Sequence, residues 1–378
     1  MKANKFVVLS VAVILTVALL STIVGCGESP STASSTSTIA SQSTQTSQVS
    51  SSDGNIIEYK LAHSHSAEAP LIKEVFEPWA RDIEEATNGR VKITIYPGEA
   101  LGPETTYVDA VKSGMIDIAW DSLEYFEGRF VLTMVGYYPL GAKTEGTISY
   151  VWWDLFKEFP EIQAEFEGMK VLAVDGSNAY NVFVSKKCSK EVSTIDDMKG
   201  LKLKAGGGTL NEAVKALGAA PVTIPAPQMY EALQKGTIDG AWFPPADGPT
   251  FMLQEVCKSV TMVDGPSCGF FTFMNEDAYA RMTPEDQKIF DSFCGDSLVA
   301  RAAKLRYDLN EKSLELLASA GVNVISPTPE EYAKFQSALD TMSAPWIEKM
   351  DSSGLPGTEV FNRAKELVAK WDASNWWE

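Results

Sequence analysis

Two rhythms of apolar and polar residues run through this chain from about residue 55 onward. Short apolar runs, several alternating with a period of two, predict strands at residues 59–62, 91–96, 170–174, 180–185, 201–204, 222–224 and 322–325. Between them stand stretches with helical spacing. Pro70 opens one that runs to about Ala86 and stops at the Asn88-Gly89 cap. Thr283 and Pro284 supply an N-cap and a first-turn proline, and helical spacing then continues to Ala320-Gly321. Such a helix reaches across much of a molecule at about 1.5 Å per residue. Thr328-Pro329 opens a further helix, and a last one covers residues 359–371. Strand and helix alternate throughout, which predicts an α/β fold with mainly parallel sheets.

One twelve-residue segment occurs twice. Residues 109–120 read DAVKSGMIDIAW and residues 231–242 read EALQKGTIDGAW. Each copy has a helical apolar face, a Gly suited to the left-handed cap, and a short apolar run ending in Trp. Two helix–Gly–strand units far apart in one chain predict two similar lobes with a cleft between them. Trp120 and Trp242 stand at equivalent strand ends that can face it.

The region ahead of this body reads differently. Lys2 and Lys5 precede an apolar run over residues 6–24, then Gly25-Cys26, the pattern of a secretory signal. The ending Ile23-Val24-Gly25-Cys26 resembles a bacterial lipobox, which implies a signal peptide of residues 1–25 and a lipid on Cys26. Residues 26–54 are rich in Ser and Thr, have few bulky side chains, and read as a disordered spacer. The net charge of −18 disfavours nucleic acid and anionic membrane surfaces as partners. Cys188, Cys257, Cys268 and Cys294 lack the close spacing of a zinc site. An exported chain permits disulfides. Of the possible pairs, Cys257 with Cys268 is the first to test.

The segment LKLKAGGGT at residues 201–209 carries the clearest chemistry. A strand ends in Lys204, three glycines follow, and a helix begins. Unpaired helical N–H groups, the helix dipole and the lysine together suit a carboxylate or phosphate, with Gly207 allowing close backbone approach. Trp120, Trp242, Phe243 and Tyr180 offer aromatic walls for a small molecule. His63 and His65, the chain's two histidines, follow the first strand, with His65 a candidate hydrogen-bonding group. Asp121 and Glu124 can meet a hydroxyl or ammonium group. No cofactor or metal is expected, and no nucleophile elbow points to catalysis.

Several segments together resemble the extracytoplasmic binding proteins of tripartite ATP-independent periplasmic (TRAP) transporters, the DctP-like family. They are YKLAHSHS, ATNGRVKITIYPGEALG, DAVKSGMIDIAW, DDMKGLKLK, ALGAAPVTIPAPQMYEALQKGTIDG and MTPEDQKIF. The resemblance implies a periplasmic-binding-protein-like α/β fold of two domains with a ligand cleft and a long helix spanning both. It also implies a membrane permease as partner and no enzymatic activity. The expected division is residues 55–178 with 268–309 in one lobe and 179–267 with 310–378 in the other. In that family an Arg at the end of the strand after the Lys-Gly-Leu turn pairs with the substrate carboxylate; here Lys204 matches it. A second frequent Arg would fall near residues 178–181, where none stands. Ala241, Trp242 and Phe243 replace the family's Gln-Glu-Asn. The expected ligand is therefore a partly apolar or aromatic organic acid, a monocarboxylate or keto acid, taken up by an exported, lipid-anchored receptor. An exported hydrolase and a ligand-sensing lipoprotein are the alternatives.

Overall fold

The strands sort into two sheets, and the points where the chain passes between them set the architecture. The structure, a computed structural model, describes residues 56–126, 128–142, 144–177 and 179–377. Cys26, the signal segment and the Ser/Thr tract lie outside the described residues. No helix among the described residues is long and apolar enough to cross a membrane.

In chain order the strands are β1 (Ile57–Ala62), β2 (Val91–Tyr96), β3 (Ile118–Ser122), β4 (Met169–Gly176), β5 (Asn181–Ser185), β6 (Lys202–Ala205), β7 (Ala220–Thr223), β8 (Gly240–Phe243), β9 (Cys257–Thr261), β10 (Gly269–Asn275) and β11 (Asn323–Ile325). One sheet has the order β2-β1-β3-β10-β4 and the other β11-β9-β5-β8-β6-β7. The sheets are mixed rather than mainly parallel. β10 runs antiparallel to β3 and β4, and β5 antiparallel to β8 and β9. These are the two strands that the chain enters directly from the other sheet, after β4 and after β9.

The repeated segment forms the same unit twice. Helix Tyr107–Lys112 leads through Gly114 (φ 73°) to β3, and helix Ala226–Lys235 through Gly236 (φ 72°) to β8. Asp117 accepts the Lys60 N–H at 2.8 Å, and Asp239 accepts the Lys202 N–H at 2.8 Å. Each carboxylate thus clips its strand to the preceding parallel one.

The helix expected from Thr283 to Ala320 divides into Pro284–Ser292 and Asp296–Ser319. Gly295 makes the break. Its φ is +58°, its N–H donates to the Leu172 carbonyl at 2.6 Å, and a Cβ there would sit 3.0 Å from the Trp153 ring. The second part has 24 residues and spans about 36 Å. It packs on β4 and helix Glu145–Glu158 of the first lobe, and on turn Pro245–Asp247 and β11 of the second.

The C-terminal region divides between the lobes, which corrects the expected assignment of residues 310–378 to one of them. Helix Pro329–Asp340 lies against helix Gly208–Ala216, but helix Gly357–Ala373 packs on Glu145–Glu158. Trp371 and Lys370 both donate to Asp154 at 2.9 Å, and Thr147 donates to the buried Asp372 at 2.9 Å. These partners belong to the first lobe and hold the chain's end there. Cys188, Cys257, Cys268 and Cys294 form no disulfide with one another. Cys257 begins β9 in one sheet and Cys268 precedes β10 in the other, so the pair singled out from the sequence is not a bridge.

Candidate functional site

Parallel strands present their carboxyl ends to the space between the sheets, where ligands of α/β folds bind. β1 delivers His63 and His65 there, β3 Trp120, β4 Asp175, β6 Lys204 and β8 Phe243. The long helix runs past them and contributes Arg306.

Arg306 was not singled out from the sequence, yet it organises the site. Its Nη2 donates to Asp175 Oδ2 at 2.6 Å and its Nε to the same oxygen at 3.2 Å. The other Asp175 oxygen accepts the Trp120 indole N–H at 2.7 Å. All three side chains are buried. Burial pushes the Asp175 carboxyl above its usual range, against the pull of Arg306 and Trp120. The guanidinium carbon also stands 5.1 Å from the Phe270 ring centroid.

Aromatic rings surround this pair. Trp120 stacks on Phe270 with centroids 4.9 Å apart, and His65 lies 4.7 Å from Trp120 and 5.7 Å from Phe270. His65 is exposed to solvent, with its ring set among these aromatic neighbours. Crowding by those rings, followed by the charge of Arg306, pushes its pKa below the ordinary value. His63 is fully buried behind it, and neither ring nitrogen has a hydrogen-bond partner. Burial lowers its pKa to about 4. Both imidazoles are therefore neutral at pH 7.

On the opposite side, the buried Lys204 places its Nζ 4.8 Å from the centroid of the Phe243 ring. Phe243 meets the half-buried Phe251 edge to face at 5.2 Å, and Tyr180 lies 6.4 Å from Phe243. Tyr180 and Cys268 approach at 3.8 Å between oxygen and sulfur. Asp247, at the end of the Pro245–Asp247 turn, stands in the field of both Arg306 and Lys204. Burial raises its carboxyl above the usual range even so.

Of the expected residues, Lys204, Phe243 and Tyr180 lie near one another, as do Trp120 and His65, and the structure sets Arg306, Asp175, Asp247, Phe251 and Phe270 among them. Gly207, with φ 106°, leads from β6 into the helix Gly208–Ala216. The Glu124 side chain lies outside the described residues. The tryptophans are not open walls: Trp120 is 1% exposed and Trp242 0%. Trp120 backs the site from behind Phe270. Trp242 shares its face of the sheet with Leu203, away from Ala241 and Phe243, and a Cβ on Gly265 would lie 2.2 Å from its ring. The one sequence signal for Arg306 was a charged residue within the buried stripe of Leu298, Val299, Ala302, Leu305 and Leu317. A charge in such a stripe requires a partner.

The chain matches the model of the family described as bacterial extracellular solute-binding protein, family 7 (DctP), over residues 61–349. It is 23% identical to the C4-dicarboxylate-binding periplasmic protein DctP of Rhodobacter capsulatus over 328 residues, 83% of this chain and 92% of that one. Among solved structures it is similar to a marine metagenome TRAP solute binding protein specific for aromatic acid ligands, from an unidentified microbe, in complex with metahydroxyphenylacetate. The TM-score is 0.76 at 27% identity, covering 84% of this chain and 99% of that one. A TRAP periplasmic solute binding protein from Bordetella bronchiseptica with bound (R)- and (S)-mandelate gives a TM-score of 0.74 at 25% identity, over 83% of this chain and 99% of that one. The family and these relatives are solute-binding proteins of transporters rather than enzymes. With two α/β lobes, a helix spanning both and a family match across most of the body, the chain belongs to the bacterial extracellular solute-binding proteins of family 7.

Proposed function

We propose that this chain is the solute receptor of a TRAP-type secondary transporter, capturing a partly apolar or aromatic monocarboxylate or keto acid. The observation that carries this reading is the approach of two cations to aromatic rings, Lys204 to Phe243 and Arg306 to the half-buried Phe270, with the half-buried Phe251 and the exposed His65 among the neighbouring rings. A carboxylate gains from both charges in a low-dielectric cleft, and the rings receive its apolar part. Lys204 serves as a point charge, and Arg306 offers the planar guanidinium that β6 lacks. Relatives with metahydroxyphenylacetate and mandelate lend support to an aromatic acid. In this reading the lobes close on the ligand and the closed form docks on membrane permease subunits. A lipid on Cys26 tethers the receptor at the outer face of the membrane that it serves.

Titration calorimetry of the full chain tests the ligand class. Mandelate, phenylpyruvate, succinate and glucose form the panel. Binding of the two aromatic acids is expected, with succinate weaker and glucose silent. Binding of glucose with no acid would sink the proposal. For the tether, Cys26→Ser should move the chain from the membrane fraction to the soluble one; retention in the membrane would refute the lipid.

A further inference from the structure

The long helix changes character where it passes between the lobes. Leu298, Val299, Ala302 and Leu305 join one apolar cluster, and Leu317 joins a second that holds Phe183, Ala241 and Phe243. Between Leu305 and Leu317 the buried positions of the helix are Arg306, Asn310 and Ser313. Steps of four and then three residues place these side chains on one stripe, with neighbouring Cβ atoms about 5–6 Å apart. The buried stripe is polar along this stretch.

Both neighbours of Asn310 are anchored, and to different lobes. Arg306 donates to Asp175 of β4 at 2.6 Å. Ser313 donates at 2.9 Å to the carbonyl of Ala246, in the turn that follows β8. Asn310 lies between these contacts, one helical turn from the guanidinium, at the junction where β4 delivers Asp175 and β8 delivers Phe243. Asn310 itself is 4% exposed, and its Oδ1 is buried with no hydrogen-bond partner among the described residues. A carbonyl oxygen buried without a donor is costly, and folded chains keep few of them. An apolar side chain here would carry the stripe on to Leu317 without that cost.

A donor from outside the chain accounts for the unpaired oxygen. A carboxylate drawn to Arg306 brings the substituent on its neighbouring carbon within reach of Asn310. A hydroxyl there supplies the donor and adds no charge. An ammonium would set a second cation beside the guanidinium, and like charges repel.

We propose that Asn310 is a ligand-binding residue whose Oδ1 accepts a hydrogen bond from a hydroxyl next to the carboxylate of the captured acid. This rests on the receptor reading above and narrows its ligand class to 2-hydroxy acids with an apolar or aromatic tail.

The test compares phenylacetate with mandelate, which differs by a single hydroxyl on the carbon next to the carboxylate. Their affinities for the full chain are measured by calorimetry, beside Asn310→Leu and Asn310→Ala. The wild type should bind mandelate about tenfold tighter than phenylacetate. In both variants the two acids should bind within about twofold of each other. Should Asn310→Leu not fold, the wild-type ratio and Asn310→Ala still decide. Equal affinities in the wild type overturn the inference while the receptor reading stands. A mandelate preference kept by both variants, with lowered melting temperatures, assigns Oδ1 to a structural water and overturns it too. Binding of phenylpyruvate without either of these acids has the same consequence. If no acid of this pair or of the panel above binds, the receptor reading falls and this inference with it.

Discussion

Arg306 and Asp175 form a buried ion pair, 2.6 Å apart, with the side chains 8% and 4% exposed. Removing one partner of such a pair strands the other charge away from water, whereas the intact pair contributes little net stability. Asp175→Ala is therefore expected to destabilise the chain by about 3–5 kcal/mol. Urea unfolding followed by tryptophan fluorescence measures this, and Trp120 loses its indole acceptor at the same time. A cost near zero would mean that Arg306 reaches solvent and that the pair is not a buried one.

Lys204 separates binding from folding. Its side chain lies over Phe243 with Nζ 4.8 Å from the ring centroid, so its stem is well packed by an apolar neighbour. Lys204→Met keeps that packing and removes the charge. Affinity for an aromatic acid such as mandelate, measured on the folded fraction, should fall at least about tenfold. Unaltered affinity would leave Arg306 as the sole cation reading the carboxylate.

Trp242 is expected to behave as core. It is fully enclosed and its indole nitrogen has no hydrogen-bond partner, so Trp242→Phe gives up volume but no bond. The cost should be about 1–2 kcal/mol, with acid affinity held within about twofold. Gly265→Ala is the converse case, because the added Cβ would sit 2.2 Å from the Trp242 ring and 3.1 Å from the Tyr180 carbonyl. Overpacking of this kind costs about 1–3 kcal/mol or more. A large loss of acid affinity in Trp242→Phe at unchanged stability would return Trp242 to the site.

His63 gives the chain a pH dependence of known sign. Its folded pKa of about 4 lies below the ordinary 6.5 because burial disfavours the charged ring. Between those values the unfolded chain binds a proton that the folded chain refuses. Stability from this residue is thus complete above about pH 6.5 and declines toward pH 4, by on the order of 2–3 kcal/mol. The buried carboxylates Asp175 and Asp247, with raised pKa values, act in the opposite sense. The comparison with His63→Leu therefore isolates the imidazole. The variant should show a flatter loss of stability across this window, and an identical slope would clear His63 of the effect.

The sequence made the repeat legible because local chemistry writes it. A left-handed turn calls for Gly at 114 and 236, and the two strands that follow need short apolar runs. Asp117 and Asp239 then clip equivalent strands at the same register. The strand end at Lys204 and the aromatic residues near it were legible for the same reason, since strand–glycine–helix order places them at a carboxyl edge. The break at Gly295 was not, because helical spacing continues across it and the left-handed φ there answers to Leu172 and Trp153. Nor was the antiparallel sense of β5 and β10. Strand direction depends on which sheet the chain comes from, and apolar spacing carries no sign of direction.

By itself the sequence determined the elements, the two-lobed plan, the cation at the end of β6 and the family to which the chain belongs. Those follow from periodicity, turn chemistry and contiguous motifs, all of which act over a few residues. Tertiary structure alone decided that Trp120 backs the site while Trp242 faces away from it. It also decided that Arg306 joins Asp175 across 131 positions of the chain. The reason is physical: a buried charge needs a partner, and which partner it finds is settled by the packing of two sheets against one helix.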